Sequence, residues 1–197
     1  KAAGYGRCTL STIQEVLAYT RRLEPVVDHN VFTYTSMIDA MSKAVLARKA
    51  NLTDVNIAWQ IMLDDGVYPN CRTYSALLTV YANFAVSERQ PTMKLAMQAW
   101  EKVETDRSLF PATGTYNALV NCMAKNAAVG AVSIPEARAV MQSALENDVS
   151  WNEQTLVSYF ELLQRVAVRR PSAGFDPEIA RQALEEGWWL IDKAESG

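Results

Sequence analysis

The sequence predicts an all-α protein, a solenoid of stacked helix-turn-helix units. Three observations carry that expectation. A six-residue phrase recurs along the 197 residues as Thr33-Tyr34-Thr35-Ser36-Met37-Ile38, Thr73-Tyr74-Ser75-Ala76-Leu77-Leu78 and Thr115-Tyr116-Asn117-Ala118-Leu119-Val120, with a degenerate copy at Thr155-Leu156-Val157-Ser158-Tyr159-Phe160. The intervals between the second residues are 40, 42 and 40, a near-fixed period that marks a repeat architecture. Each phrase also opens an amphipathic pattern, and no segment shows the sustained alternation of a half-buried strand.

The elements follow in order. Residues 1–10 are unpatterned. Ser11 is a candidate cap for a helix carrying Ile13, Val16, Leu17 and Tyr19-Thr20, which Pro25 soon stops. This helix reads as the second half of an incomplete leading unit, residues 1–30. Four units then divide as 31–70, 71–112, 113–152 and 153–194, the last degenerate or capping. The first helix of each places apolar residues at offsets 0, 3, 4 and 7. They are Tyr34, Met37, Ile38 and Met41; Tyr74, Leu77, Leu78 and Tyr81; Tyr116, Leu119, Val120 and Met123; and Leu156, Tyr159, Phe160 and Leu163. That spacing lines one face of a 3.6-residue helix.

A second helix follows in each unit. Its stripe is Val55, Ala58, Trp59, Met62 and Leu63 in unit one, and Met93, Ala96, Met97 and Trp100 in unit two. In unit three it is Ala137, Val140, Met141, Ala144 and Leu145, and in unit four Ala180, Ala183, Leu184 and Trp188. Pro91, Pro135 and Pro177 suit first-turn positions. Ser133 with Glu136 has capping-box spacing, and Asp176 suits a cap before Pro177. Asp65-Gly66 is a helix stop, and Pro69 and Pro111 separate units. The connector within unit one reads as long, spanning Ala44 to Asp54. A lone hairpin cannot bury both stripes, so neighbours must stack.

Composition narrows the function classes. The net charge of −3 argues against a generally basic nucleic-acid coat, though not against a local basic stripe. Cys8, Cys71 and Cys122 are widely spaced and form no CxxC pair, so they read as small buried or half-buried thiols in a reducing compartment. No apolar run approaches the ~20 residues of a membrane span, so no membrane partner is expected. The chain opens at Lys1 rather than Met and reads as a processed protein or a piece of a longer one.

The Thr-Tyr-x-x-Leu-Leu/Ile openings, the ending Asp65-Gly66-Val67-Tyr68-Pro69-Asn70 and the paired helices resemble pentatricopeptide repeats over roughly residues 31–190. The match is close in units one to three and weak in unit four, where Leu156 replaces the tyrosine. Units of the family run to about 35 residues, so these are longer by about five to seven. That excess is expected between the paired helices, as in a divergent branch. The resemblance implies a right-handed α-solenoid that reads single-stranded RNA at one base per repeat, in mitochondria or chloroplasts. The base-selecting pairs it implies are Thr35 with Asn70, Ser75 with Ala112, and Asn117 with Asn152. Ala112 and Val157 offer a base edge nothing. The resemblance also implies base clamping at Phe32, Arg72, Gly114 and Gln154, where Phe32 and Arg72 suit stacking and Gly114 does not. It places phosphate contacts nine residues after each opening tyrosine or Leu156, where Lys43, Lys125 and Arg165 are basic and Asn83 is not.

Simpler roles stand beside these. Asn30, Asn70 and Asn152 suit helix N-caps. Thr33, Thr73 and Thr115 suit local backbone bonds. Lys43, Lys125 and Arg165 lie near helix C-termini, where the dipole favours cations. The single His29 beside Asp28 suits a solvated or capping role, and no catalytic motif or phosphate loop is present. The sequence therefore reads as non-enzymatic, with no cofactor and no metal. It fits a mitochondrial (or chloroplast) single-stranded RNA-binding subunit of a ribonucleoprotein, a mitochondrial ribosome or an RNA-processing complex, in contact with RNA (ribosomal RNA among the candidates) and other protein subunits. The competing reading is a protein-binding scaffold in the same kind of assembly without direct RNA contact.

Overall fold

A computed structural model describes residues 9–23, 29–168 and 177–196. Among these residues there are nine helices and no strand. They are α1 (Leu10–Thr20), α2 (Val31–Leu46), α3 (Leu52–Asp64), α4 (Cys71–Glu88), α5 (Met93–Thr105), α6 (Thr113–Ala127), α7 (Ile134–Glu146), α8 (Glu153–Ala167) and α9 (Pro177–Ser196). The even-numbered helices α2, α4, α6 and α8 each pack on the next. The odd-numbered helices α3, α5, α7 and α9 each pack on the partner within their own unit. The result is the predicted all-α solenoid. α1 rests on α3, the place of a second helix from a preceding unit.

The apolar stripes build this stack. Tyr34, Ile38 and Met41, Leu77, Leu78 and Tyr81, and Tyr116, Leu119, Val120 and Met123 are all buried. Burying a side chain of this size contributes about 1.5–3 kcal/mol. The recurring tyrosine stacks on the preceding unit. Tyr74 lies 5.5 Å from Trp59, and Tyr116 lies 4.9 Å from Trp100, ring centre to ring centre. At Tyr34 and Tyr116 the hydroxyl is also tied to the second helix of the same unit or its cap. Tyr34 donates to Asp65, and the Tyr116 hydroxyl lies 3.3 Å from Ser143 Oγ. In unit four Leu156 is half-buried and Tyr159, one turn on, takes over this task, donating to Glu186 Oε1 at 2.7 Å. Glu186 is 4 % exposed and also meets Arg138 at 3.4 Å.

Several sequence expectations change. Thr9, not Ser11, caps α1, because its hydroxyl reaches the Thr12 N–H. Val16 and Tyr19 lie exposed while Ile13 and Leu17 carry the packing. The connector in unit one is short, residues 47–51, and the next two are 89–92 and 128–133. The extra length of units one and two lies in their first helices, 16 residues in α2 and 18 in α4 against 13 in α3 and α5. Pro91 stays outside α5, since Thr92 is the N-cap. The box at Ser133 and Glu136 forms as expected, with Pro135 in the first turn of α7. Asp176 lies outside the described residues.

The unit-four stripe is the largest correction. α9 buries Ala183, Glu186 and Leu190, while Leu184 and Trp188 are 68 % and 70 % exposed. Tyr159 causes the change, because the carboxylate it holds turns that face of α9 inward. Phe160 on α8 is also exposed, as are Leu63 and Met97 on the second helices of units one and two. His29 is buried rather than solvated, with 6 % of its side chain exposed and Nε2 2.7 Å from the Thr20 hydroxyl. Cys122 is buried and Cys71 half-buried, as expected, and Cys8 lies outside the described residues. Burial pushes the Cys122 thiol up to about 12.

Candidate functional site

The layer of first helices carries a groove of about 630 Å³. Equivalent positions of successive units line it. From α2 come Phe32, Thr35, Ser36 and Asp39; from α4, Arg72, Ser75, Ala76 and Thr79. α6 supplies Gly114, Asn117, Ala118 and Asn121, and α8 adds Gln154. Relative to the opening tyrosine these are offsets −2, +1, +2 and +5. They form a helical face beside the buried stripe, because residues three and four apart share a side of a helix. The groove therefore gathers Phe32, Arg72, Gly114, Gln154, Thr35, Ser75 and Asn117 of the sequence-predicted residues. Asn70, Asn152, Lys43, Lys125 and Arg165 lie off its lining.

The asparagines before the helices are caps. Asn30, Asn70 and Asn152 each accept from the backbone N–H three residues on, and Thr33, Thr73 and Thr155 accept from the asparagine N–H in return. Ala112 opens α6 without a side-chain cap.

These caps reach into the groove through the threonines. The Thr35 hydroxyl lies 2.7 Å from that of Thr73, which itself bonds Asn70 Oδ1 at 3.1 Å. Asn117 Nδ2 donates to Asn152 Oδ1 at 3.1 Å, and Thr155 donates to Asn117 Oδ1. Both residues of a predicted base-selecting pair thus share one hydrogen-bonded cluster at the first and third junctions. At the middle junction Ser75 Oγ turns back to the Cys71 carbonyl at 2.8 Å. There Ala112 offers no partner.

The predicted basic row is committed elsewhere. Lys43 pairs with Asp39 at 2.8 Å. Lys125 reaches forward to Glu161 of the next unit at 3.0 Å, and Arg165 holds the same carboxylate at 2.6 Å. Arg165 also donates to the Ala124 carbonyl at 3.0 Å, and Asn83, its equivalent in unit two, donates to the Ser42 carbonyl at 2.9 Å. These two residues occupy the same place in their units and reach the same place in the unit before. Asn83, Lys125 and Arg165 therefore act as inter-unit staples, while Lys43 is held within its own helix.

Sequence reasoning missed the groove positions at offsets +2 and +5, such as Asp39, Thr79 and Asn121. The helical period that revealed the buried stripe, applied from Phe32 and Arg72, finds them. Among the described residues no group of His, Cys, Asp or Glu is placed to hold a metal ion, and no helix is long and apolar enough to cross a membrane.

The PPR domain of Arabidopsis thaliana protein-only RNase P 1, solved in complex with tRNA, superposes with a TM-score of 0.54 at 15 % identity, covering 96 % of this chain and 85 % of that one. The pentatricopeptide repeat protein PPR10, solved in complex with an 18-nt psaJ RNA element, gives a TM-score of 0.37 at 18 % identity, and the chain spans only 35 % of its length. No curated protein sequence matches the chain. The model of the pentatricopeptide repeat domain matches residues 26–84 and again 58–126, so that the matches together run through units one and two and into the first helix of unit three. With its recurring tyrosine, paired helices and stacked first-helix layer, the chain belongs to the pentatricopeptide repeat family.

Proposed function

We propose that the chain binds single-stranded RNA in the groove of the first-helix layer and holds it there without chemistry. The observation that carries this reading is the recurrence, at the repeat interval, of equivalent polar side chains along the floor of one groove, the buried Thr35 and Asn117 with the half-buried Ser75, and the exposed Phe32 and Arg72 beside them. A base slips between the side chains at offset −2, where Phe32 offers a ring and Arg72 a guanidinium plane. The offset +1 side chains then meet its edge. Family membership supports the reading, and the similar PPR domain was solved with an RNA.

In this reading the chain works within a larger organellar ribonucleoprotein, mitochondrial or chloroplast, such as a mitochondrial ribosome or an RNA-processing complex, alongside other protein subunits. Fluorescence anisotropy with a short labelled oligoribonucleotide tests the binding step. Single-stranded RNA is expected to bind and a duplex of the same sequence to compete poorly. Equal competition by duplex, or no binding at low salt, refutes it. Crosslinking of the tagged protein to RNA in its source cells tests the setting. Mitochondrial or chloroplast transcripts are expected, ribosomal RNA among them; recovery of cytosolic messages alone refutes it.

A second reading, the protein scaffold, draws on one observation. Phe160, Leu184, Trp188 and Ile191 are exposed on one uncharged face of α8 and α9, with Ala167, Ala180, Ala183 and Gly187 between them. Phe160 holds the offset at which Ile38, Leu78 and Val120 are covered by the following unit. Such a face suits a helical element that continues the stack.

A further inference from the structure

We infer that Arg72 is the electrostatic anchor of the groove, neutralising one phosphate of the bound strand, and that the row at Lys43, Lys125 and Arg165 is closed to phosphate. The inference rests on the RNA-binding reading and goes beyond it in assigning where charge is recognised.

The first helices of units one to four carry four cations between the opening tyrosine region and the helix C-terminus: Lys43, Arg72, Lys125 and Arg165. Three of them already hold carboxylates, Asp39 for Lys43 and Glu161 for Lys125 and Arg165. A phosphate approaching that row meets those carboxylates, whose negative charge offsets the attraction of the cations. Arg165 is doubly committed through the Ala124 carbonyl.

Arg72 differs on each count. It is exposed, lines the groove, and among the described residues its guanidinium has no ion pair or side-chain hydrogen bond. Among the described residues that line the groove it is the only cation, and Asp39 is the only anion. Space opens next to it. Gly114 holds the same position one unit on, and a Cβ there would meet nothing within 4 Å. A nucleotide beside Arg72 therefore has room on the side of unit three, and its phosphate can take the two parallel N–H donors of the guanidinium. Charge recognition is thus concentrated at one backbone position, and the remaining affinity comes from stacking and hydrogen bonds.

The salt dependence of binding counts the phosphates neutralised. For single strands the slope of log K against log salt is about −0.7 per phosphate. A labelled oligouridylate titrated with the full chain is expected to give a slope of about −0.7. Arg72→Gln brings the slope close to zero. Gly114→Arg places a second free cation in the open space and deepens the slope to about −1.4, with affinity gained mainly at low salt. Lys43→Gln combined with Lys125→Gln leaves the slope where it was. Circular dichroism and melting temperature confirm that each variant is folded, and the gain expected from Gly114→Arg cannot arise from misfolding.

A wild-type slope of about −2 or steeper that falls when Lys43 and Lys125 are replaced overturns the inference while leaving RNA binding intact. So does a slope unmoved by Arg72→Gln. Failure of the wild type to bind at low salt overturns the RNA-binding reading, and the anchor falls with it.

Discussion

Replacing Asn70 separates two roles that one side chain serves in a repeat of this kind. Its Oδ1 accepts from the Thr73 N–H at 3.0 Å and from the Thr73 hydroxyl at 3.1 Å, and its own N–H donates back to Thr73 Oγ1 at 3.3 Å. Thr73 is fully buried, so Asn70→Ala strands the Thr73 N–H away from water. Loss of a cap costs about 0.5–2 kcal/mol, and this burial puts Asn70 near the top of that range. For a chain of this size a loss of about 1.5 kcal/mol lowers the melting temperature by roughly 3–6 °C. Asn70→Ser restores a capping oxygen and is expected to melt within about 1 °C of the wild type, since serine caps as well as asparagine. Helical ellipticity followed through thermal and urea unfolding measures both. The same two proteins then report on RNA. If capping is the whole role, Asn70→Ser binds oligoribonucleotides like the wild type. If the side-chain amide also reads a base, Asn70→Ser loses affinity at unchanged stability. An Asn70→Ala protein as stable as the wild type would refute the capping argument itself.

Other predictions bear on the packing. Asn126, fully buried, accepts from the Thr92 N–H at 2.7 Å and donates to the Cys122 carbonyl at 2.9 Å, which pins the connector of unit two against α6. Asn126→Ala is expected to cost about 2–4 kcal/mol in urea unfolding, and Asn126→Asp to be no rescue because it buries a charge. Burial lifts the Tyr81 phenol from 10.0 to about 12. Its folded pKa lies above the unfolded one, so its share of stability is complete below pH 10.0 and is lost as pH rises toward about 12. Tyr81→Phe should flatten the fall in melting temperature across that window. On α9, Leu190→Ala should cost about 2–5 kcal/mol and Leu184→Gln less than about 0.5 kcal/mol. The reverse order would restore the stripe through Leu184 and Trp188.

The repeat, the helix pairs and the inward faces of α2, α4 and α6 were legible because each is written in one chemistry at one spacing. Tyr34, Tyr74 and Tyr116 with their apolar followers need no partner outside the unit to be recognised. α9 was misread for the opposite reason. Its inward face holds Glu186, which counts as a surface residue until Tyr159 and Arg138 are known to meet it. The shift of the tyrosine from offset 0 to offset +3 in unit four was visible, but its consequence 27 residues downstream was not. Within the groove, the offsets that face it followed from the period, whereas the state of each side chain depended on its neighbours. Thr35 and Asn117 are held by Thr73 and Thr155, threonines of the next unit.

The basic row shows most clearly how far a repeat can be read one unit at a time. Lys43, Lys125 and Arg165 share an offset, and that alone suggests a shared ligand running along the solenoid. Yet the groups that satisfy them lie 4, 36 and 41 residues away, on the same helix or on an adjacent unit. In a stack, any side chain at the edge of a helix face lies as close to the neighbouring unit as to a ligand in the groove. A carboxylate at offset +5, present as Asp39 and Glu161 and absent at Thr79 and Asn121, decides which of the two it serves. Lys125 has Asn121 rather than a carboxylate one turn before it and crosses to Glu161 instead. Glu161→Gln therefore has a defined consequence: it frees Lys125 and Arg165 from their ion pairs and adds up to two cations to the RNA-facing side. A steeper salt slope in that variant, with Arg72 untouched, would show that inter-unit pairing suppresses phosphate contact along this row; an unchanged slope would mean that the row faces away from the strand altogether.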